Sequence, residues 1–515
     1  MSKQSFLYGT LVLIGAGFIT KILGFVYRIA LSRIIGDEGM GLFQMAFPIL
    51  VFAIVVTTAG LPVAISKLVS EAVAKKRVNQ IRSILIVSFV LITVSATIVT
   101  ISILIFAPII ANTLLTDSRA MICLIAIAPI IPIIGISTVF RGYFQGKQNM
   151  NPYAFSQLIE QTARIFTVLF LAHFLLPYGI DYAAAGAMIG MVVGEGLGML
   201  FLLYSFKKDP HRPQMRQPLP TRKDFVQTFR ELTRISIPVT ASRMIGSLAY
   251  AIEPIVVSQS LAIAGIATAT STALYGQLEG MAIPLIAFPS FITYALSVSL
   301  VPAISEAAAR NQYRLVEHRL TQAIRLSCLI GAPSAVLIFV LAEPLATILY
   351  HHPDVANLIR MMAPVAILLY IQGPLASILQ GLDHAHLAMR NSIIGAFVKT
   401  ILIFLLGSNP NLGINGVVLA INIGIIIVTI LHFYSISRLV PITIYFRSII
   451  KLFFSSSLTG FVAYVMISQT QIPLLTRSIL SCVGSLSIYS ILIFLLNLIK
   501  REDLLRFPIL ARRMR

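Results

Sequence analysis

The chain has 515 residues, of which 57% are hydrophobic and only 11% charged, and its mean hydropathy is +0.90. That balance excludes a water-soluble globular protein, which cannot bury so much apolar surface. The formal net charge of +20 would suit a nucleic-acid partner, but most of the 39 Lys and Arg lie in short segments between apolar runs, which excludes that reading.

Apolar runs long enough to cross a bilayer as helix, about 20 residues, follow one another along the whole sequence. In chain order they predict an all-α polytopic membrane protein of fourteen transmembrane helices: 6–32, 40–66, 83–111, 120–140, 153–177, 183–206, 231–264, 273–303, 322–349, 355–380, 387–407, 413–437, 446–468 and 478–499. The first run follows Lys3 as a signal peptide would. It continues past Lys21 to Leu31 without a small-x-small cleavage site, so it is expected to be retained. Alternate connections carry the basic clusters Lys75-Lys76-Arg77, Lys207-Lys208 and Arg512-Arg513, while the intervening loops hold only Arg33, Arg119 and Arg477. Positive charge stays on the cytoplasmic side, so both termini are expected there. The same clusters are expected to touch anionic membrane lipids.

The chain also repeats itself. Glu38-Gly39-Met40 followed by Ala46-Phe47-Pro48 returns as Glu279-Gly280-Met281 followed by Ala287-Phe288-Pro289. Ala64-Ile65-Ser66 returns as Ala303-Ile304-Ser305, Ala128-Pro129 as Ala363-Pro364, Gln145-Gly146 as Gln380-Gly381, and Gly179-Ile180 as Gly413-Ile414. Residues 1–206 then form a first six-helix repeat and 231–437 a second, joined by a basic, proline-rich cytoplasmic linker at 207–230. Helices thirteen and fourteen and a basic tail occupy 438–515. An even number of spans per repeat makes the repeats parallel, as in carriers whose substrate site lies between two halves. Glycines 186, 190 and 194, answered by Gly416, Ala420 and Gly424, are read as helix-packing positions. The partner prolines Pro48 and Pro289, and Pro129 and Pro364, are candidate symmetric kinks. Cys123, Cys328 and Cys482 all fall inside spans without a spacing motif, so neither a disulfide nor a metal site is expected.

Charges at the depth of the bilayer carry the functional argument, because each costs several kcal/mol there unless it meets water or a partner. Within the repeat, Lys21-Ile22-Leu23-Gly24 matches Arg243-Met244-Ile245-Gly246, and Arg164 matches Lys399. Lys21, Arg164, Arg243 and Lys399 are therefore expected to converge on one cationic cavity. Arg28, Glu160, Glu195, Glu253 and Glu279 are candidate supporting residues. Glu160 stands four residues before Arg164 and can pair with it on one helix face. A cationic cavity calls for an anionic cargo, and phosphate oxygens meet arginine and lysine in both charge and hydrogen bonding. No Walker A sequence, reactive triad or cofactor motif occurs, so no cofactor and no catalytic step are expected.

Leu61-Pro62-Val63-Ala64-Ile65-Ser66-Lys67, the run from Arg141 to Pro152, Leu176-Pro177-Tyr178-Gly179-Ile180 and Pro289-Ser290-Phe291-Ile292-Thr293-Tyr294 resemble the polysaccharide transporter branch of the multidrug/oligosaccharidyl-lipid/polysaccharide exporter superfamily, which is related to the lipid II flippases. The resemblance covers essentially the whole chain. It implies a fourteen-helix carrier in a bacterial cell membrane that moves an undecaprenyl-linked peptidoglycan precursor, here for the spore cortex, by alternating access. By the same resemblance, helices 1, 2, 7 and 8 line a cationic cavity, and helices 13–14 form a groove for the lipid tail. Alternatives are a multidrug exporter of cations, an integral-membrane polymerase or ligase, and a non-transporting partner of cell-wall synthases. The first would need unpaired acids in the cavity and the second reactive groups on the outer face, neither of which the residues present; the third needs only the basic loops, which are there.

Overall fold

In the computed structural model the described residues are 6–58, 60–210, 212–213, 221–441 and 446–498. The centre of the expected linker and the basic tail with Arg512-Arg513 lie outside them. The described chain is helical almost throughout: α1 (Phe6–Thr58), α2 (Leu61–Ala74), α3 (Val78–Ile109), α4 (Ala120–Ile127), α5 (Ile130–Gly146), α6 (Asn151–Leu175), α7 (Ile180–Lys208), α8 (Arg222–Ile263), α9 (Thr268–Tyr275), α10 (Ile283–Ala287), α11 (Ser290–Ala309), α12 (Tyr313–Val340), α13 (Ala342–Tyr350), α14 (Val355–Gly381), α15 (Ala385–Gly407), α16 (Ile414–Ser437), α17 (Phe446–Ile467) and α18 (Leu474–Leu495). Two π-helical segments, Ile110–Leu114 and Gly276–Ala282, and a 3-10 turn, Leu176–Tyr178, complete the list.

Thirteen stretches among the described residues are long and apolar enough to cross a membrane. The first, Gly15–Ala74, runs through the second expected span and all but the start of the first. No loop separates them. A single residue, Gly36 at φ 67° and ψ −170°, breaks the helical run of α1. Only a residue without Cβ adopts that conformation readily, which is how one position does the work expected of a connection at 33–39. The expected span 273–303 is likewise not one α-helix. Tyr275 runs into the π-segment, and Pro284 and Pro289 then open new helical starts at α10 and α11. Within the expected linker α8 begins at Arg222, where the Thr221 side chain accepts a hydrogen bond from the Asp224 backbone N–H at 3.2 Å. The partner prolines behave unequally. Pro48 and Pro364 sit inside continuous helices, while Pro129 and Pro289 mark breaks.

The chain forms two compact units. One comprises Met1–Gly280 with Ile403–Gly416, and the other Met281–Leu402 with Val417–Arg515. In the first, Leu61 and Ile65 of α2, Ile81 and Ile84 of α3, Phe140 and Phe144 of α5, Leu202 of α7 and Leu232 of α8 form an apolar core. The glycines of α7 let α6 lie directly on it: a Cβ on Gly190 would sit 2.5 Å from the Val168 Cα. In the second unit, Leu300, Ile304, Leu320, Leu375, Ile378 and Ile436 form the corresponding core. There the Tyr489 hydroxyl of α18 donates to the Leu329 carbonyl of α12 at 2.7 Å, fixing the last helix pair. The repeated Gly-Ile pairs occupy equivalent turns, since Gly179 (φ 136°) and Gly413 (φ 50°) both precede new helices.

Large apolar side chains point outward. Phe166, Phe170, Phe174 and Tyr178 follow one face of α6 and its short extension at 71%, 66%, 58% and 70% exposure. Such a face requires a hydrocarbon solvent, and the protein is a multi-pass membrane protein.

Candidate functional site

Chain ends in the first unit fall at two levels. The Asp117 end holds residues 37–41, 113–119 and 258–279, joined by hydrogen bonds and ion pairs. The Lys147 end holds Lys147, which pairs with Asp209 at 2.5 Å and so ties α5 to α7.

Between these levels lie the ionisable residues singled out in the sequence. Lys21 and Arg28 are on α1, Arg164 on α6 and Arg243 on α8, and α1 packs against both α6 and α8. A Cβ on Gly24, one turn from Lys21, would lie 3.7 Å from Gln161 Nε2, one turn before Arg164. The side chains of Lys21 and Arg243 are exposed, and that of Arg28 is half-buried. The first unit thus places three of the four candidate cations on neighbouring helices. Lys399 is half-buried in the second unit, where its stem covers Gly424 as the stem of Arg164 covers Gly194 in the first. The cation-over-glycine arrangement is the same in both repeats.

Arg164 is committed to carboxylates. It pairs with Glu160 and stands 3.9 Å from Glu195 Oε2. A residue that the sequence reading quoted only as the start of a motif, not as a site residue, completes the group. Arg141 reaches Glu195 at 2.8 Å and Glu160 at 3.0 Å, and its guanidinium lies 5.5 Å from the Tyr153 ring centroid. Two guanidinium groups and two carboxylates from α5, α6 and α7 therefore form a closed, electrically balanced network, with Glu195 only 3% exposed. Arg141 escaped notice because the fourth span was drawn to end at 140, whereas α5 continues to Gly146. A signal was present: Glu195, in mid-span with no cation on its own face, required one from elsewhere.

Arg28, Glu253 and Glu279 come together as a second cluster. Glu253 and Glu279 are buried, and all three act electrostatically on Tyr250, the two acids also on Tyr275.

The third polar group was not anticipated. At the Asp117 end, Arg119 pairs with Glu38 at 2.6 Å and with Asp117 at 2.8 Å. The Thr272 hydroxyl donates to Asp117 at 2.8 Å, and Gln277 Nε2 donates to Asp37 at 2.8 Å. Burial alone would raise the Asp117 carboxyl, but the Arg119 guanidinium and the Thr272 hydroxyl hold it below its usual value of 3.8. Arg119, which the sequence marks only as one of three loop cations, is a structural hub. Among the described residues no group of three or more His, Cys, Asp or Glu is placed to hold a metal ion.

Comparison with known proteins gives two family matches, two relatives and one solved structure. The family described as polysaccharide biosynthesis protein matches residues 6–308, and the family described as MatE matches residues 279–405. Stage V sporulation protein B of Bacillus subtilis (strain 168) is 46% identical over 517 residues, covering 99% of this chain and 99% of its own. The lipid II flippase MurJ of the same organism is 27% identical over 421 residues, covering 78% of this chain and 77% of its own. A solved structure of the lipid II flippase MurJ in an inward closed conformation has the same fold, with a TM-score of 0.72, 16% identity and coverage of 94% of this chain and 99% of that one.

Proposed function

This chain belongs to the polysaccharide transporter branch of the multidrug/oligosaccharidyl-lipid/polysaccharide exporter superfamily, and we propose that it carries an undecaprenyl-pyrophosphate-linked peptidoglycan precursor across the cell membrane for spore cortex synthesis. It is a flippase without a catalytic step. The observation that carries the choice of cargo is the pair Lys21 and Arg243, repeat partners at mid-membrane depth whose side chains are exposed on adjoining helices. A pyrophosphate is the substrate group that such cations suit. Arg164, with Arg141, Glu160 and Glu195, supports that surface rather than meeting cargo. Lys399 is the second repeat's counterpart of Arg164, and Arg28, Glu253 and Glu279 form a neighbouring cluster in the first unit.

Further parts of the reading follow from size and pattern. At about 1.5 Å per residue α1 is about 80 Å long, far more than the roughly 30 Å of bilayer core. Counting it with α2 as two spans meeting near Gly36 gives fourteen. The repeats are then 1–206 and 231–437, with 207–230 as linker and 438–515 as the additional pair and tail. The basic clusters put the Lys147 end and both termini in the cytoplasm and the Asp117 end outside. The expected partners are the lipid-linked anionic saccharide, anionic membrane lipids and, downstream, cell-wall synthases.

The MatE match keeps a multidrug exporter as the second reading. A cationic drug needs available acids, yet Glu160 and Glu195 are paired with Arg164 and Arg141. Reconstitution separates the two. Proteoliposomes should translocate a labelled undecaprenyl-pyrophosphate saccharide and leave a lipophilic cationic dye unmoved, and the reverse result would replace the proposal with the second reading. Orientation is tested with single cysteines in a background lacking Cys123, Cys328 and Cys482. A cysteine in the 207–230 linker should be shielded from impermeant thiol reagents in intact cells, and one beside Asp181 should react.

A further inference from the structure

A cavity of about 570 Å³ opens where the turn between α2 and α3 faces the first turns of α8. Its lining residues all belong to the first unit. Lys76, Arg77 and Asn79 come from the turn and the start of α3, and Asp224, Gln227 and Glu231 from α8. The size is that of a small-molecule site, which commonly measures about 300–1,000 Å³. Apart from Val78 the lining is polar or charged, and it contains no aromatic ring.

The cations and acids share this cavity without meeting. Asp224 Oδ2 accepts from the Thr221 hydroxyl at 2.6 Å, and Glu231 Oε1 accepts from Gln227 Nε2 at 3.0 Å. Both acids are thus held along their own helix, each with acceptor capacity to spare. Among the described residues neither Lys76 nor Arg77 forms an ion pair with them.

The internal repeat shows that the turn itself does not require these cations. Ser70-Glu71-Ala72 returns as Ser305-Glu306-Ala307, and the turns that follow are bonded alike. The N–H groups of Lys76 and Arg77 donate to the Val73 and Ala72 carbonyls at 3.1 and 2.9 Å. Those of Asn311 and Gln312 donate to the Ala308 and Ala307 carbonyls, both at 2.9 Å. The left-handed position is taken by Lys76 (φ 54°) in the first turn and by Asn311 (φ 55°) in the second. Asparagine suits that conformation and lysine does not. Lys75 and Arg310 already give both turns the positive charge that a cytoplasmic loop favours. Lys76 and Arg77 are therefore additional cations, placed at the cavity against backbone preference.

We propose that this cavity is a binding site for a phosphorylated saccharide, separate from the Lys21 and Arg243 surface. Lys76 and Arg77 meet the phosphate, and sugar hydroxyls donate to Asp224 and Glu231. The amides of Asn79 and Gln227 both donate and accept, as a hydroxyl-rich ligand requires. A nucleotide matches less well, because its base finds no ring on which to stack. Arg243 lies on α8 about 18 Å beyond Glu231 at about 1.5 Å per residue, so one phosphate group cannot serve both places. A ligand here bridges the α2–α3 turn to α8, next to the apolar core that holds Ile81, Ile84 and Leu232. The same chemistry is offered by a soluble sugar phosphate and by the head of a lipid-linked saccharide.

The test measures binding to full-length protein in phosphatidylcholine nanodiscs and needs no transport, so its failure and that of the carrier reading are separate results. Lys21→Ala and Arg243→Ala are present throughout, to silence the proposed cargo surface. The probes are α-glucosyl phosphate and an undecaprenyl-pyrophosphate disaccharide, with glucose and inorganic phosphate as references. At least one probe should bind saturably and more tightly than either reference. Lys76→Asn with Arg77→Gln, which installs the residues of the equivalent turn, should weaken that binding at least about tenfold without lowering the thermal midpoint. Glu231→Gln should weaken it several-fold and leave inorganic phosphate unaffected, whereas Lys75→Asn, outside the cavity, should change nothing. Binding of the soluble probe alone supports the site as one for an effector, and binding of the lipid-linked probe alone supports it as a first station for cargo. Neither probe exceeding the references, or binding that survives Lys76→Asn with Arg77→Gln, would overturn the proposal.

Discussion

Lys21→Glu and Arg243→Glu are each expected to abolish translocation of the lipid-linked saccharide while the protein still folds and inserts. Both side chains are exposed on their helices, so reversing their charge removes the attraction for pyrophosphate without opening a packed core. Lys21→Arg should retain more transport than Lys21→Ala, since at a hydrated site charge outweighs shape. The energy source follows from the same electrostatics. Under the proposed function the drive comes from the membrane or from consumption of product outside, and an inside-negative potential favours each outward-moving negative charge by about 2.3 kcal/mol per 100 mV, or roughly 4.6 kcal/mol for an uncompensated dianion. Collapsing the potential in vesicles should therefore slow net outward flipping. A rate indifferent to potential, together with full activity in Lys21→Glu or Arg243→Glu, would defeat this account.

Arg141→Ala is expected to act in the opposite way, by destroying the protein rather than its transport. Removing Arg141 leaves Glu195, 3% exposed, with Arg164 at 3.9 Å as the cation remaining beside it in the network. Breaking one side of a buried ion pair costs about 3–5 kcal/mol, because a charge remains without compensation. That is a large part of a total stability of about 5–15 kcal/mol. Membrane-inserted protein and thermal midpoint in detergent should both fall sharply for Arg141→Ala and scarcely at all for Lys21→Ala. The double change Arg141→Gln with Glu195→Gln should recover part of the loss, since it removes both charges together. An Arg141→Ala protein with an unaltered midpoint would show that the network bears no structural load.

Much of the fold was legible because it is written in local patterns. Apolar runs gave the helices, the recurring Gly179-Ile180 and Gly413-Ile414 pairs became equivalent turns, and the spaced glycines of α7 became its contact with α6. What escaped depends on backbone register or on distant residues. One glycine, rather than a loop, separates the first two spans, and nothing in hydropathy distinguishes the two. The π-segment at Gly276–Ala282 changes hydrogen-bond register without changing composition. The candidate site was legible as a set of charges but not as pairings. Glu160 beside Arg164 is a neighbour along one helix, whereas Arg141 to Glu195 spans 54 residues and Asp117 to Thr272 spans 155. Only the packed chain brings those groups together.

The break at Gly36 has a mechanical consequence. With one residue between the two limbs of α1, relative tilt is confined to a single pair of backbone torsions, φ and ψ, and each limb is otherwise a stiff rod. Such a joint has almost no slack. One rod carries Lys21 and the other, beginning at Asp37, carries Glu38, so torque applied at Lys21 is delivered directly to the Glu38 pair with Arg119, as through a crank rather than a tether.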